Sequence, residues 1–359
     1  MEMTVLYVAS WEATTGKTTL CVGIGKRLQK GGRTVGYLKP LAFSQKGASS
    51  VDKEAQFVKQ ALALGEPEET LCPLKATPDV LVKEVKSDKF TGWIKNACSE
   101  AAAGKDVLLL EGCGGLEEKS ALNEAFYRIA ETVDAKVLLV VRYVKDLTCG
   151  KIAPARKGFG KRLLGVVINQ VPSAKVEAVQ RDLTATFGAE GITILGVLPE
   201  ERQLLGISIA DLVEQIDAKV LCCSESLPKL VENVMVGAMT VDSGADYFSR
   251  KDKKLVIARG DRADVHAAAL TTSTQGLVLT GGIAPTPKVI YWAEENSVPI
   301  LLTEQDTLST IDGVDQAISE ARFRHLTKSE RLDSIMAKNF DFETLHQSLE
   351  LATTSSTRG

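Results

Sequence analysis

The sequence predicts an α/β chain: a doubly wound parallel sheet followed by a smaller α/β domain. Three observations carry this. Short runs of consecutive Val, Ile and Leu alternate with amphipathic stretches through the first 200 residues, as strands buried on both faces and their covering helices require. The first run leads straight into Ser10-Trp11-Glu12-Ala13-Thr14-Thr15-Gly16-Lys17-Thr18 and then into an amphipathic stretch. After Pro199 the alternation starts again. Domains are therefore expected at 1–205 and 206–325, with 326–359 a C-terminal tail, partly helical and disordered over the polar, aperiodic Thr353–Gly359.

In chain order, the strands of the first domain are expected at Val5–Ala9, Thr34–Leu38, Asp106–Leu110, Lys136–Val141, Leu164–Ile168 and Ile192–Val197. Apolar residues three and four apart predict helices at Thr18–Lys30, Lys53–Leu64, Lys89–Ala103, Leu122–Glu131 and Ala174–Thr186. In the second domain, strands are expected at Lys219–Cys222, Leu255–Ala258, Gly276–Leu279 and Ile300–Thr303, and helices at Ala263–Leu270, Lys288–Asn296 and Thr307–Glu320. The polar Val241–Lys254 reads as a loop or a short helix.

Composition narrows the function. With 43 Lys+Arg against 46 Asp+Glu and 5% aromatic residues, neither broad electrostatic nor stacking recognition of nucleic acid is expected. The basic stretch Arg142–Arg162 reads as a solvated surface. Seven scattered cysteines without a CxxC pair, and three histidines far from them, predict reduced thiols and no zinc site. Vicinal Cys222 and Cys223 read as core filling rather than a redox switch. The apolar start is too short for a signal peptide and no run is long enough to span a bilayer, so a soluble, cytoplasmic protein is expected.

The order strand, loop, helix is what phosphate binding needs. Backbone N–H groups wrap a polyphosphate at the positive end of a helix, Lys17 neutralises its terminal oxygens, and the Thr18 hydroxyl holds Mg²⁺. The usual spacing calls for glycine at position 11, where this chain has Trp; counting five intervening residues puts Ser10 first. Two more strand ends reach the same rim: Lys39-Pro40, and Glu111-Gly112-Cys113-Gly114-Gly115, which sets a carboxylate beside the metal and glycines where a phosphate can approach.

These segments, with Gly165-Val-Val-Ile-Asn169 and Gly196-Val-Leu-Pro-Glu200, resemble dethiobiotin synthetase and its relatives over about 200 residues. The resemblance implies ATP and Mg²⁺ at Gly16, Lys17, Thr18 and Thr19, phosphoryl stabilisation by Lys39, Glu111 as a metal ligand with Asp52 or Glu54 completing the shell, close approach at Gly114 and Gly115, and Asn169 reading adenine. Leu41-Ala42-Phe43 departs from the small residues that cradle the synthetase's diamine, and Phe43 would fill that pocket. Glu12-Ala13-Thr14 also replaces the synthetase's Asp-Thr pair.

Further on, Gly260-Asp261-Arg262-Ala263-Asp264-Val265 and Thr280-Gly281-Gly282 resemble the DRTGG domain. The combination resembles the N-terminal, regulatory half of long bacterial phosphotransacetylases, without their acetyl-transfer domain in these 359 residues. Asp261 is expected to cap the helix that follows. Arg262 is expected to hold a carboxylate or phosphate, or else to form an ion pair with an acid such as Asp264. The resemblance implies an ATP- and Mg²⁺-binding regulatory protein, linked to acetyl phosphate, acetyl-CoA or central metabolism. A second small anion at the DRTGG domain would help to bias a dimer or a partner such as a phosphotransacetylase. The alternatives are a subunit of a separately encoded phosphotransacetylase, and an ATP-dependent carboxylate- or carbamate-activating ligase in which Lys17, Lys39 and Glu111 are catalytic.

Overall fold

The computed structural model describes residues 4–13, 15–43, 52–116, 122–200, 206–238, 244–319 and 329–350. The chain forms two compact units, one built from the described residues up to 200 together with 329–350, the other from 206–319.

In the first unit the elements are β1 (Thr4–Ser10), α1 (Lys17–Lys30), β2 (Val35–Leu38), β3 (Leu41–Phe43), α2 (Lys53–Ala61), α3 (Glu68–Leu71), β4 (Leu74–Ala76), α4 (Pro78–Glu84), α5 (Asp88–Ala101), β5 (Val107–Glu111), α6 (Leu122–Thr132), β6 (Lys136–Arg142), α7 (Cys149–Phe159), β7 (Leu163–Val171), α8 (Val176–Ala189) and β8 (Ile194–Pro199). Six strands pair in the order β2-β5-β1-β6-β7-β8, parallel throughout. Strand β5 is buried at every position, and its three consecutive leucines each contribute about 1.5–3 kcal/mol by leaving water. One face is covered by α5, α6, α7 and α8, whose Ile94, Ile129, Phe159 and Phe187 share a core with Val137, Leu139 and Val166. On α1, Gly25 lets Leu62 come close at the end of α2; a Cβ there would lie 2.7 Å from it. The chain leaves β1 toward β2 on one side and later returns to β6 on the other, so the crevice beyond the carboxyl ends of β1, β5 and β6 is where a ligand fits this topology.

The segment after 325, read from sequence as a tail, is structured where it is described. Helices Ser329–Asn339 and Phe342–Ser348 pack on this same unit: a Cβ at Gly23 of α1 would run into Met336 Sδ, Phe340 bridges Gly196, and the Asp341 N–H donates to Leu195 O at 2.8 Å. Leu332, Ile335 and Met336, at helical spacing, bury the apolar stripe, and the Phe340 bridge covers part of the edge strand β8. Thr353–Gly359 lies outside the described residues. The basic stretch carries α7, which buries the apolar Ile152, Ala155 and Phe159, while Lys145, Arg156, Lys157 and Lys161 are exposed, as a solvated surface requires.

In the second unit a five-stranded sheet joins the parallel strands Asn233–Val236, Lys254–Arg259, Thr274–Thr280 and Ile300–Leu302, with Lys219–Cys222 antiparallel at its edge. Polar Val241–Lys254 contains a short helix, Gly244–Phe248, and runs into a strand; residues 241–243 lie outside the described residues. Cys222 and Cys223 are half-buried, with their thiols near the Val298 and Ala293 carbonyls. Among the described residues, no helix is long and apolar enough to cross a membrane.

Candidate nucleotide and metal site

The loop between β1 and α1 is folded around its own lysine. Lys17 Nζ donates to Ser10 Oγ, Ala13 O and Gly114 O, each at 2.9 Å, and Ser10 Oγ donates in turn to Glu12 O at 2.7 Å. Gly16 precedes the helix with φ 90°, in the left-handed region, and a Cβ there would lie 2.8 Å from Asn169 Nδ2. Trp11, where the usual spacing has glycine, is buried in the core beneath the loop, and its backbone N–H extends the sheet to Val140 O at 2.8 Å. Thr19 lies half-buried in the first turn of α1; Thr14 lies outside the described residues.

Thr18, Glu54 and Glu111 meet at the start of this helix. Thr18 Oγ1 donates to Glu111 Oε1 at 2.6 Å and lies 3.2 Å from Glu54 Oε1. Tyr37 Oη, from β2, donates to Glu111 Oε2 at 2.7 Å and fixes the carboxylate from behind. Asp52 caps α2, accepting from the Glu54 and Ala55 N–H groups, and so presents Glu54 to the site. Lys39 Nζ donates to Asp52 Oδ2 at 2.7 Å and Glu54 Oε2 at 2.5 Å.

Burial, reinforced by the Glu54 carboxylate, pushes the Glu111 carboxyl up to about 7, although Lys39, the Thr18 hydrogen bond and Lys17 pull the other way. Burial acts to lower the Lys39 ammonium, but Glu54, Glu111 and Asp52 outweigh it and hold the group well above the ordinary lysine range. Burial also drives the Cys113 thiol up to about 12, so the cysteine of the Glu-Gly-Cys-Gly-Gly turn stays protonated.

The donor set suits a hard cation. Two carboxylates and a hydroxyl are oxygen donors of the kind Mg²⁺ takes, and among the described residues no group of three or more His, Cys, Asp and Glu could hold a metal unaided. That shortfall is expected of an ion that shares its shell with phosphate oxygens and water. Close approach is built in at Gly115, where a Cβ would lie 2.5 Å from Glu12 C and 2.8 Å from Trp11 O.

Of the residues expected from sequence, Gly16, Lys17, Thr18, Thr19, Lys39, Glu54, Glu111, Gly114 and Gly115 lie around this loop and its helix. Asn169 comes to the loop itself, where its Nδ2 donates to Thr15 O at 2.7 Å and its Oδ1 accepts from the Gln170 N–H at 2.8 Å. Sequence reasoning missed Tyr37, whose phenol carries no local motif, and the anchoring of Glu12 by the Arg142 N–H at 2.9 Å and Lys151 Nζ at 2.8 Å. Phe43 has its backbone in β3, but its side chain lies outside the described residues.

In the second unit, Asp261 does not cap the helix Ala263–Leu270. Arg262 occupies the cap position without a side-chain cap, because the Asp261 carboxylate is drawn back onto Arg259, with Nε at 3.2 Å and Nη2 at 3.0 Å. Arg262 forks Asp264 at 3.0 and 2.8 Å, which holds the Asp264 carboxyl down at about 2. The Gly281 and Gly282 N–H groups donate to Gln305 O and Thr303 O. Beneath the rim, buried His266 sets Nε2 2.8 Å from Arg259 O.

A family model described as an AAA domain matches residues 4–208, and one described as a DRTGG domain matches 211–317. The phosphate acetyltransferase of Nitrosomonas europaea is 24% identical over 362 residues, covering 96% of this chain and 51% of that protein. That of Pseudomonas aeruginosa is 23% identical over 371 residues, covering 96% and 52%. The chain thus spans about half the length of the curated relatives it matches. A solved structure of the CBS and DRTGG domains from the regulatory region of Clostridium perfringens pyrophosphatase, complexed with diadenosine tetraphosphate, aligns with 51% of this chain and 84% of its own at 17% identity, with a TM-score of 0.27. That overlap is too loose for anything to be transferred from it. The first match takes in more than half of the sequence, and on that ground the chain belongs to the AAA-domain family, with a DRTGG domain behind the nucleotide-type unit.

Proposed function

We propose that the protein binds ATP with Mg²⁺ at the β1–α1 loop and works as a regulatory, nucleotide-sensing region of the phosphate acetyltransferase type. The observation that carries this reading is the convergence of the Lys17 ammonium, the Thr18 hydroxyl and the Glu54 and Glu111 carboxylates at the amino end of one helix. Lys17 would exchange its loop oxygens for phosphate oxygens, Thr18, Glu54 and Glu111 would hold the cation, and Gly114 and Gly115 would let the chain lie close against the ligand. Mg²⁺ bound there supplies charge neutralisation for the phosphate oxygens.

The DRTGG unit is the second effector site in this reading, for a small anion at Arg262 and the neighbouring Asp261 turn. Each guanidinium fork is engaged by an aspartate, so an anion must replace a carboxylate, and modest affinity is expected. The output is a change in a dimer or in an acetyl-transferring partner inside the cytoplasm. The ligase reading is favoured by one observation, the burial of two ammonium groups at one rim, Lys17 on the loop oxygens and Lys39 on the Asp52 and Glu54 carboxylates.

Calorimetric titration of ATP with and without Mg²⁺, alongside phosphate release, tests both. Mg²⁺-dependent binding with negligible turnover supports the regulatory role. Turnover that rises with one carboxylic acid or amine supports the ligase.

A further inference from the structure

Lys39 ends up among acids. Its side chain is 5% exposed, and the Asp52 and Glu54 carboxylates it contacts are each 12% exposed. Glu54 faces two ways, with Oε2 on the Lys39 ammonium and Oε1 beside the Thr18 hydroxyl. Through Thr18 the chain of contacts reaches Glu111, the most deeply buried acid of the group. Buried carboxylates persist only where a cation or several donors compensate them, and an ammonium at this spacing is such a cation.

We infer that Lys39 is a resident counter-cation for the acid cluster, a positioning residue that holds Asp52 and Glu54 in place and competes with a divalent ion for them. This rests on the reading of Thr18, Glu54 and Glu111 as the Mg²⁺ site. It gives Lys39 a different part from the phosphoryl contact that the resemblance implies. A divalent ion reaching Glu54 must share that carboxylate with an ammonium already on it, so the ion binds weakly alone and well when phosphate oxygens complete its shell. Cation binding is thereby tied to nucleotide binding.

The test uses the full chain and Mg²⁺ alone as the probe, at constant ionic strength, with melting temperature and calorimetry as readouts. In Lys39→Met the competing charge is gone and its three acidic neighbours remain. The nucleotide-free affinity for Mg²⁺ is expected to rise at least tenfold over wild type, and Mg²⁺ alone to raise the melting temperature far more. Should Lys39→Met not fold at any Mg²⁺ concentration, the double variant Lys39→Met, Asp52→Asn takes its place; it removes one charge of each sign, keeps a capping side chain on α2, and is expected to show a smaller gain in the same direction.

An unchanged response to Mg²⁺ alone in these variants, beside wild-type chain that binds Mg·ATP, overturns the counter-cation role and leaves the metal site standing. Wild-type chain that shows no binding of ATP with Mg²⁺ removes the metal site, and this inference with it.

Discussion

Thr18 and Glu111 stand 93 residues apart in sequence and 2.6 Å apart in the fold, hydroxyl to carboxylate. Parallel pairing of β5 beside β1 makes this contact, setting Glu111 level with Val8 just before the loop. Replacing Glu111 with Gln keeps the volume and removes the charge the cation needs. ATP affinity in the presence of Mg²⁺ is expected to fall at least tenfold, about 1.4 kcal/mol, while the weaker Mg²⁺-free affinity changes little. Calorimetry of both proteins in both conditions checks this.

The displaced Glu111 carboxyl makes stability depend on pH. Its value rises on folding, from the ordinary 4.5 to about 7, so the folded state binds the proton more tightly. The associated stability is fully present below pH 4.5 and is lost as pH rises through about 7; a shift of this size is on the order of 3 kcal/mol. Glu111→Gln should lack this decline. Mg²⁺, which prefers the ionised carboxylate, should flatten it in the wild type. Denaturant midpoints between pH 5 and 8 give the comparison.

Gly115 leaves no room for a side chain, since a Cβ would meet the backbone of Glu12, Ala13 and Trp11. Backbone cannot swing aside as a side-chain tip can, so Gly115→Ala is expected to cost about 1–3 kcal/mol and to weaken ATP binding by shifting the loop. Chemical denaturation and an ATP titration on one sample check both effects.

Met336 packs over Gly23 of α1 and is 1% exposed. Met336→Ala should destabilise the first unit by about 2–5 kcal/mol, an effect that a free tail would not produce. Thermal melting of this variant decides between the two.

What could be read in the sequence follows what each residue depends on. Strands such as β5 and β6 were legible because burial on both faces demands unbroken apolar runs. Helix α7 was not, because its apolar residues are spaced among glycines, basic side chains and the internal Pro154, and it buries only Ile152, Ala155 and Phe159. Strand Asn233–Val236 is short and half-buried, with no strong alternation to announce it. At the site, Lys17, Thr18 and Glu111 were legible because loop and turn chemistry is local. Tyr37 behind Glu111, and Asn169 against Thr15, are products of strand register and packing that no local spacing encodes. Asp261 reads as a cap from its position alone, but a neighbouring arginine two residues back competes for its carboxylate and wins.

The most direct measurement is an ATP titration of the wild-type chain by calorimetry, repeated with Lys17→Ala and with Mg²⁺ withheld. Saturable heat that needs Mg²⁺ and vanishes with the Lys17 ammonium is the expected result. Identical traces from wild type and Lys17→Ala, or no heat beyond dilution at millimolar ATP and Mg²⁺, would contradict a nucleotide site at this loop.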